Sequence, residues 1–248
     1  MKFLVGERRA VAASLLAFYT LVYAALALSG MVPPELKGIV ISHASLYGVA
    51  FFSLVAGWFW GRWFASGIGM YGLVTGVLGM FQVGPEPVLV FMAITHAIIP
   101  AFLAGEHMAE GFEGRPDWRT RFHLDDPAVE RLGKSVTRAA MSLPFLLTWW
   151  LAPKQPGQGA MMIADLAPVA VFFLGTAGLW GVIRMRTWGV LALAGASVTT
   201  AGLAIATGSG TAALFGLLPA TLLAASVAPF ARPIIDHISG HALGRAAR

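Results

Sequence analysis

Two histidines stand inside long apolar runs. His43 falls in GIVISHASLYGVAFF and His96 in VLVFMAITHAIIPAFLA. An ionisable group in an apolar stretch is a functional candidate by default, because such groups are costly in hydrocarbon. Measured from the outer ends of their predicted helices, His43 lies about 7 Å deep and His96 about 12 Å deep, from the axial rise per helical residue. Both helices are predicted to run in the same direction, so the two rings meet at similar depth. That pair has the chemistry of a bis-imidazole haem b site, or of one transition-metal site. The plainer alternative is that each ring hydrogen-bonds a neighbouring helix through Ser42, Ser45 or Thr95.

A second group is strongly polar. Glu106, His107 and Glu110 form EHxxE, with spacings of three and four that place them on roughly one helix face. His123, Asp125 and Asp126 follow in a charged loop. Near the end of the chain stand Asp236, His237 and His241, the two histidines four apart as on a metal-binding helix. If these segments share one membrane face, Glu106, His107, Glu110, His237 and His241 are a candidate metal set. Zinc, iron or manganese held there would activate water or oxygen. The competing expectation is a solvated loop and an interfacial tail whose polar groups face water and headgroups.

The elements that carry these residues are dictated by composition. Of 248 residues, 57% are hydrophobic and only 12% charged, with a mean hydropathy of +0.74. Soluble domains carry about 25% charged residues. A chain this poor in charge cannot cover itself with polar surface, so the lipid bilayer is its expected solvent. Its apolar runs are long and unbroken, which suits helices; barrel strands alternate over about 10 residues. The expected fold is therefore an all-α integral membrane protein of about eight transmembrane helices.

The predicted spans are Ala10–Gly30, Gly38–Trp60, Phe64–Val83, Val88–Gly105, Arg138–Ala152, Met161–Ile183, Thr187–Thr207 and Thr211–Phe230. Most approach the ~20 residues that a bilayer crossing needs. The first follows MKFLVGERR and resembles a signal peptide, but its apolar run is longer than a usual h-region, and it is read as a span. The fifth is short and is read as beginning further back, with Asp126 as N-cap and Pro127 at the first helical position. Asp165 reads as a helix-entry residue. With both ends in the cytoplasm, 15 of the 17 Lys and Arg fall on the inner side and two, Lys37 and Lys154, on the outer. The net charge of +5 follows from that bias, and no nucleic-acid partner is implied. The expected location is the cell membrane.

The halves show matching features. Phe51-Phe52 with Ala56-Gly57 matches Phe172-Phe173 with Ala177-Gly178 at an offset of 121; Pro33 matches Pro153 at 120; Pro100 matches Pro219 at 119. The pattern suggests two tandem four-helix units of one orientation, over residues 1–105 and 138–231. Residues 106–137 would form a cytoplasmic loop with an interfacial helix, and 232–248 a basic amphipathic tail. Against this stands the ease with which small apolar residues match. Glycines such as Gly67, Gly69, Gly72, Gly76 and Gly79 are expected to allow close helix packing. Trp58, Trp60, Trp63, Trp149 and Trp150 are expected in interfacial belts.

Absences narrow the function. There is no cysteine, hence no thiol, disulfide or thiolate-held cluster chemistry. No Lys lies in a span, against a retinal Schiff base. GxxxxGK[ST], HExxH and GxSxG are missing, as is a row of intramembrane carboxylates. Three expectations remain. The first is a non-catalytic subunit or scaffold of a membrane complex, or a small carrier of an apolar or neutral solute. The second is a metal-dependent membrane enzyme acting on a lipid-like substrate at the cytoplasmic face. The third is a haem b protein ligated by His43 and His96.

Overall fold

The computed structural model describes residues 4–113, 116–151, 163–207 and 216–231, and among them it contains helices and turns but no strand. In chain order the helices are α1 (Val5–Leu28), α2 (Pro34–Val55), α3 (Gly61–Val83), α4 (Pro87–Leu103), α5 (Glu106–Glu113), α6 (Pro116–Phe122), α7 (Asp126–Leu151), α8 (Ile163–Ile183), α9 (Thr187–Thr207) and α10 (Gly216–Ala231). Proline opens α2 and α4 at the first helical position, where its missing N–H costs nothing. By length and composition, α1, α2, α3 and α9 can each cross a membrane. The α4–α5 pair would add a fifth span, although it bends by 75° at Ala104-Gly105. The apolar parts of α8 and α10, Ala167–Ile183 and Gly216–Ala231, are shorter.

α1 to α4 form an antiparallel bundle in which α1 packs on α2 and α4, and α3 on α2 and α4. α7 lies along α3 and α2 and leads into the α8–α9 pair. Ser197 Oγ on α9 donates to the Ala220 carbonyl on α10 at 2.8 Å, and Arg138 on α7 donates to the Ala225 carbonyl at 2.6 Å. The Ala225 carbonyl needs that donor. Its normal helical partner would be the N–H of residue 229, which is proline.

Close approach decides where glycine is required. A Cβ on Gly67 would sit 2.4 Å from the Thr137 carbonyl oxygen, so α3 and α7 meet backbone to backbone. A Cβ on Gly72 would sit 1.9 Å from Cδ2 of His96, so that imidazole lies flat on α3. Outside the bundle, Phe52, Phe91, Phe173, Leu191 and Val198 are largely exposed, as lipid-facing side chains are.

One end of the bundle is basic. Arg8 donates to the carbonyls of Ala101 and Ala104, Arg62 to that of Leu103, and Arg9 to those of Leu54 and Val55. These carbonyls lie at the C-terminal ends of α4 and α2, at the negative pole of the helix dipole; that of Leu54 also accepts the Gly57 N–H at 3.2 Å. Arg119, Lys134 and Arg138 share a groove with Arg62 at this end, and Arg121, Arg184 and Arg186 share another.

Several local expectations are corrected. The N-cap of α7 is Asp125, whose carboxylate accepts the Ala128 N–H at 2.8 Å; Asp126 instead pairs with Arg119 at 2.7 Å. As the Asp126-Pro127 start implied, the fifth predicted span begins further back, within one continuous helix of 26 residues. The predicted fourth span stops at Leu103, because Gly105 takes φ +102 and turns the chain aside. Trp63 belongs to the core, packed against Gly133 and Trp118, not to a belt. Pro153 and the tail 232–248 lie outside the described residues.

The glycine contacts yield the first prediction. Gly67→Ala should lower the thermal-unfolding midpoint in detergent, since overpacking costs about 1–3 kcal/mol. Gly202→Ala, where a Cβ meets nothing within 4 Å, should not. Equal midpoints for both variants and the wild type would contradict the α3–α7 contact.

Candidate functional site: a tyrosine–histidine cluster

α1 and α2 each present a pair of ring side chains four residues apart, Tyr19 with Tyr23 and His43 with Tyr47. Residues so spaced stack on one helix face. α3 adds Tyr71 and α4 adds Thr95 and His96. The chain has four tyrosines, and all four converge on these two histidines.

The rings form a continuous aromatic layer. Centroids of Tyr23 and His43 are 5.3 Å apart, Tyr23 and Tyr47 5.5 Å, Tyr19 and Tyr47 5.4 Å, and Tyr19 and His96 4.1 Å. Tyr71 extends the layer to α7 through an edge contact with Phe145 at 4.7 Å. Hydrogen bonds run through it between helices. The Tyr47 hydroxyl lies 2.6 Å from His96 Nε2, and the Tyr71 hydroxyl 2.7 Å from His43 Nε2. Tyr19 bonds Thr95 Oγ1 at 2.6 Å.

The backbone sets the direction of these bonds. His43 Nδ1 faces the Ile39 carbonyl and His96 Nδ1 the Met92 carbonyl, both at 2.8 Å. A carbonyl only accepts, so both Nδ1 atoms carry the proton. In the neutral ring Nε2 is then the acceptor, and each tyrosine O–H donates to it. Both nitrogens of both imidazoles are used. Tyr47 and His96 are fully buried, and His43 nearly so.

The predicted histidines thus come together in one cluster at one depth. Each stands nine residues past the first residue of its helix, about 13 Å along the axis. His43 is deeper than its sequence suggested because α2 begins at Pro34 rather than Gly38. Between them stand the tyrosines. A metal or haem iron at Nε2 would have to displace Tyr71 and Tyr47, the groups that hold the rings. The clue in the sequence was the i, i+4 spacing of Tyr19 with Tyr23 and of His43 with Tyr47.

The polar set is placed differently. Glu106, His107 and Glu110 are exposed on α5, a separate helix anchored by the buried Met108 and Phe112, with Arg9 lying 4.9 Å over the Phe112 ring. His107 Nδ1 is 3.9 Å from Glu110 Oε2. Among the described residues no three His, Asp or Glu side chains are grouped to hold a metal ion. His237 and His241 lie outside the described residues. His123 ends α6: it takes φ +52, with its N–H on the Thr120 carbonyl and the Leu124 N–H on the Arg119 carbonyl. That is a left-handed helix stop.

Comparison with protein-family models, curated proteins and solved structures finds no match for this chain.

The cluster predicts its own energetics. Tyr47→Phe leaves His96 Nε2 without a donor, and His96→Leu leaves Tyr47 without an acceptor. A double-mutant cycle on thermal or denaturant unfolding in detergent should give a coupling of about 0.6 kcal/mol, and at most ~1.7, as for other interhelical bonds in membranes. Additive effects would show that the bond carries no stability.

Proposed function

We propose that this chain is an eight-span integral membrane protein of the cell membrane, with both ends cytoplasmic, acting as a non-catalytic subunit of a larger membrane complex. One observation carries the reading. The interior is filled and uncharged: no Asp, Glu, Lys or Arg is buried among the described residues, and the polar centre is closed by its own side chains. A metal or haem iron needs a free Nε2, and both Nε2 atoms here accept from a tyrosine hydroxyl. A carrier of an apolar or neutral solute needs space at the centre. Gly72 lets His96 fill that space instead.

The membrane reading is supported by the apolar helices and their exposed apolar side chains. The orientation is supported by the gathering of Arg8, Arg9, Arg62, Arg121, Arg184 and Arg186 at one end, while Lys37 stands near the start of α2 at the other. Two tandem four-helix units are supported by a shared plan. α1 packs on α2 and α4 as α7 packs on α8 and α10.

Two measurements test this. The protein, extracted in mild detergent from the cells that make it, should co-purify with at least one other membrane protein at a fixed ratio over two columns. It should be colourless and free of stoichiometric metal. A homogeneous species of this chain alone would overturn the subunit reading. A Soret band would assign His43 and His96 to haem b, and stoichiometric metal lost in His107→Ala or His241→Ala would assign an enzyme. Topology is read directly, because the chain has no cysteine. Met31→Cys and Gln155→Cys should react with an impermeant maleimide in intact cells, and Gly111→Cys only after permeabilisation. The reverse pattern would invert the protein, and labelling of Met31→Cys without Gln155→Cys would remove the eight-span plan.

A further inference from the structure

The basic end carries two cationic grooves of similar size and different charge balance. One, of about 480 Å³, runs between α3 and α7 and holds Arg62, Arg119, Lys134 and Arg138. Its lining also includes Asp126, paired with Arg119, and Glu130, paired with Lys134. It is neutralised from within. The other, of about 580 Å³, lies where the α2–α3 turn, α6 and the α8–α9 turn meet. Arg121, Arg184 and Arg186 line it beside Trp60, Trp118 and Trp180, and among the described side chains no carboxylate lines it. Three guanidinium groups around one hollow without a counter-charge favour an anion there.

The groove is built on held elements. Arg184 and Arg186 flank Met185, a non-glycine residue at φ +55. The Met185 N–H bonds the Val182 carbonyl at 2.9 Å and the Arg186 N–H the Gly181 carbonyl at 2.8 Å, closing a helix stop in which glycine is usual. The Met185 side chain packs against the hydrophobic core, which holds the strained turn and fixes the two arginines on either side of it. Arg184 stacks 5.4 Å over Trp180, and Trp118 stacks 4.5 Å on Phe59. Two turns further into α8, Phe173 is 60% exposed, on the same side of the helix as Trp180. An apolar track therefore leads from the cationic hollow along the outside of the bundle.

We propose that this groove binds the phosphate headgroup of an anionic phospholipid of the inner leaflet, with an acyl chain lying along Trp180 and Phe173. Guanidinium groups match phosphate oxygens two at a time, and tryptophan favours headgroup depth. The proposal rests on the membrane orientation given above. It adds a ligand class that the subunit reading does not require.

Native mass spectrometry of the full chain reads it, after reconstitution with equal amounts of phosphatidylglycerol and phosphatidylcholine of the same acyl chains. The wild type should retain phosphatidylglycerol over phosphatidylcholine by about tenfold or more, at the strength of basic groups near an anionic leaflet. Arg184→Gln/Arg186→Gln should bring the ratio near one, and Arg121→Gln, on a separate helix, should lower it partway even if the double variant folds poorly. Lys37→Gln, at the opposite end, should leave it unchanged. An equal ratio in wild type and in Arg121→Gln and the double variant overturns the site. So does equal loss in Lys37→Gln, which would mark a general charge effect. Displacement of the lipid by millimolar inorganic phosphate would assign a soluble anion instead. Flotation with phosphatidylcholine vesicles separates the two readings. A protein that does not float is not a membrane protein, whereas one that floats without lipid preference loses only this inference.

Discussion

Inside a bilayer a polar group has no water to turn to, so each must find its partner within the protein or remain costly. This constraint organises the centre of the bundle. Two imidazoles and the phenols of Tyr19, Tyr47 and Tyr71 could not be buried separately at this depth without penalty. Buried together, they use one another: backbone carbonyls take the Nδ1 protons, and Tyr47 and Tyr71 donate to Nε2. Because the partners come from different helices, the same bonds that satisfy the rings also set the relative height and rotation of α1, α2, α3 and α4. A slip of one residue in α2 would move both His43 and Tyr47 by about 100° around the helix and break two interhelical bonds at once.

The same rule acts where the helices end. Helix C-termini present carbonyls with no donor, and the arginines near the starts of α1 and α3 supply them to α2 and α4. Arg138 does so inside α10, where Pro229 has removed a backbone N–H. The positive bias at one end is therefore more than an orientation signal. Several of its charges close the bundle, each such end contact being worth about 0.3–1 kcal/mol in the helix dipole alone. Charges with such a task are spoken for, which is why Arg121, Arg184 and Arg186, grouped in a groove that no carboxylate lines among the described side chains, stand apart from the rest.

Helices, their approximate limits and the gathering of basic residues were legible in the sequence because they follow from hydropathy and composition, which are local properties. The break after Leu103 was harder. It depends on Gly105 taking a positive φ, and glycine is as common inside these helices as at their ends. The N-cap of α7 went to Asp125 because two adjacent aspartates compete for one role and Arg119, seven residues upstream, claims Asp126. The histidines were found and their partners were not. Sequence logic treats tyrosine in a span as one more aromatic residue, and only the i, i+4 spacing on two facing helices distinguishes a cluster from a core. The offset of 121 between the halves also fails to extend through the helix stops: Gly57 and Met185, which take the same left-handed position after α2 and α8, are 128 positions apart. Any common plan of the two halves thus includes an insertion of about two helical turns.

That asymmetry bears on where function lies. From Arg138 to Ala231 the sequence holds no tyrosine and no histidine, so the aromatic polar centre belongs to the first four helices alone. The second half is held by glycine contacts, with Gly178 against Leu193 and Gly181 against Gly189, and by the bonds of Ser197 and Arg138 to α10 carbonyls. The first half adds ring-to-ring hydrogen bonds to its glycine contacts, whereas the second relies on glycine contacts and side-chain bonds to α10 carbonyls. The exposed flanks are mainly apolar, while the basic end combines fixed charge, aromatic rings and a concave shape. The groove between α6 and the α8–α9 turn joins the two halves at that surface.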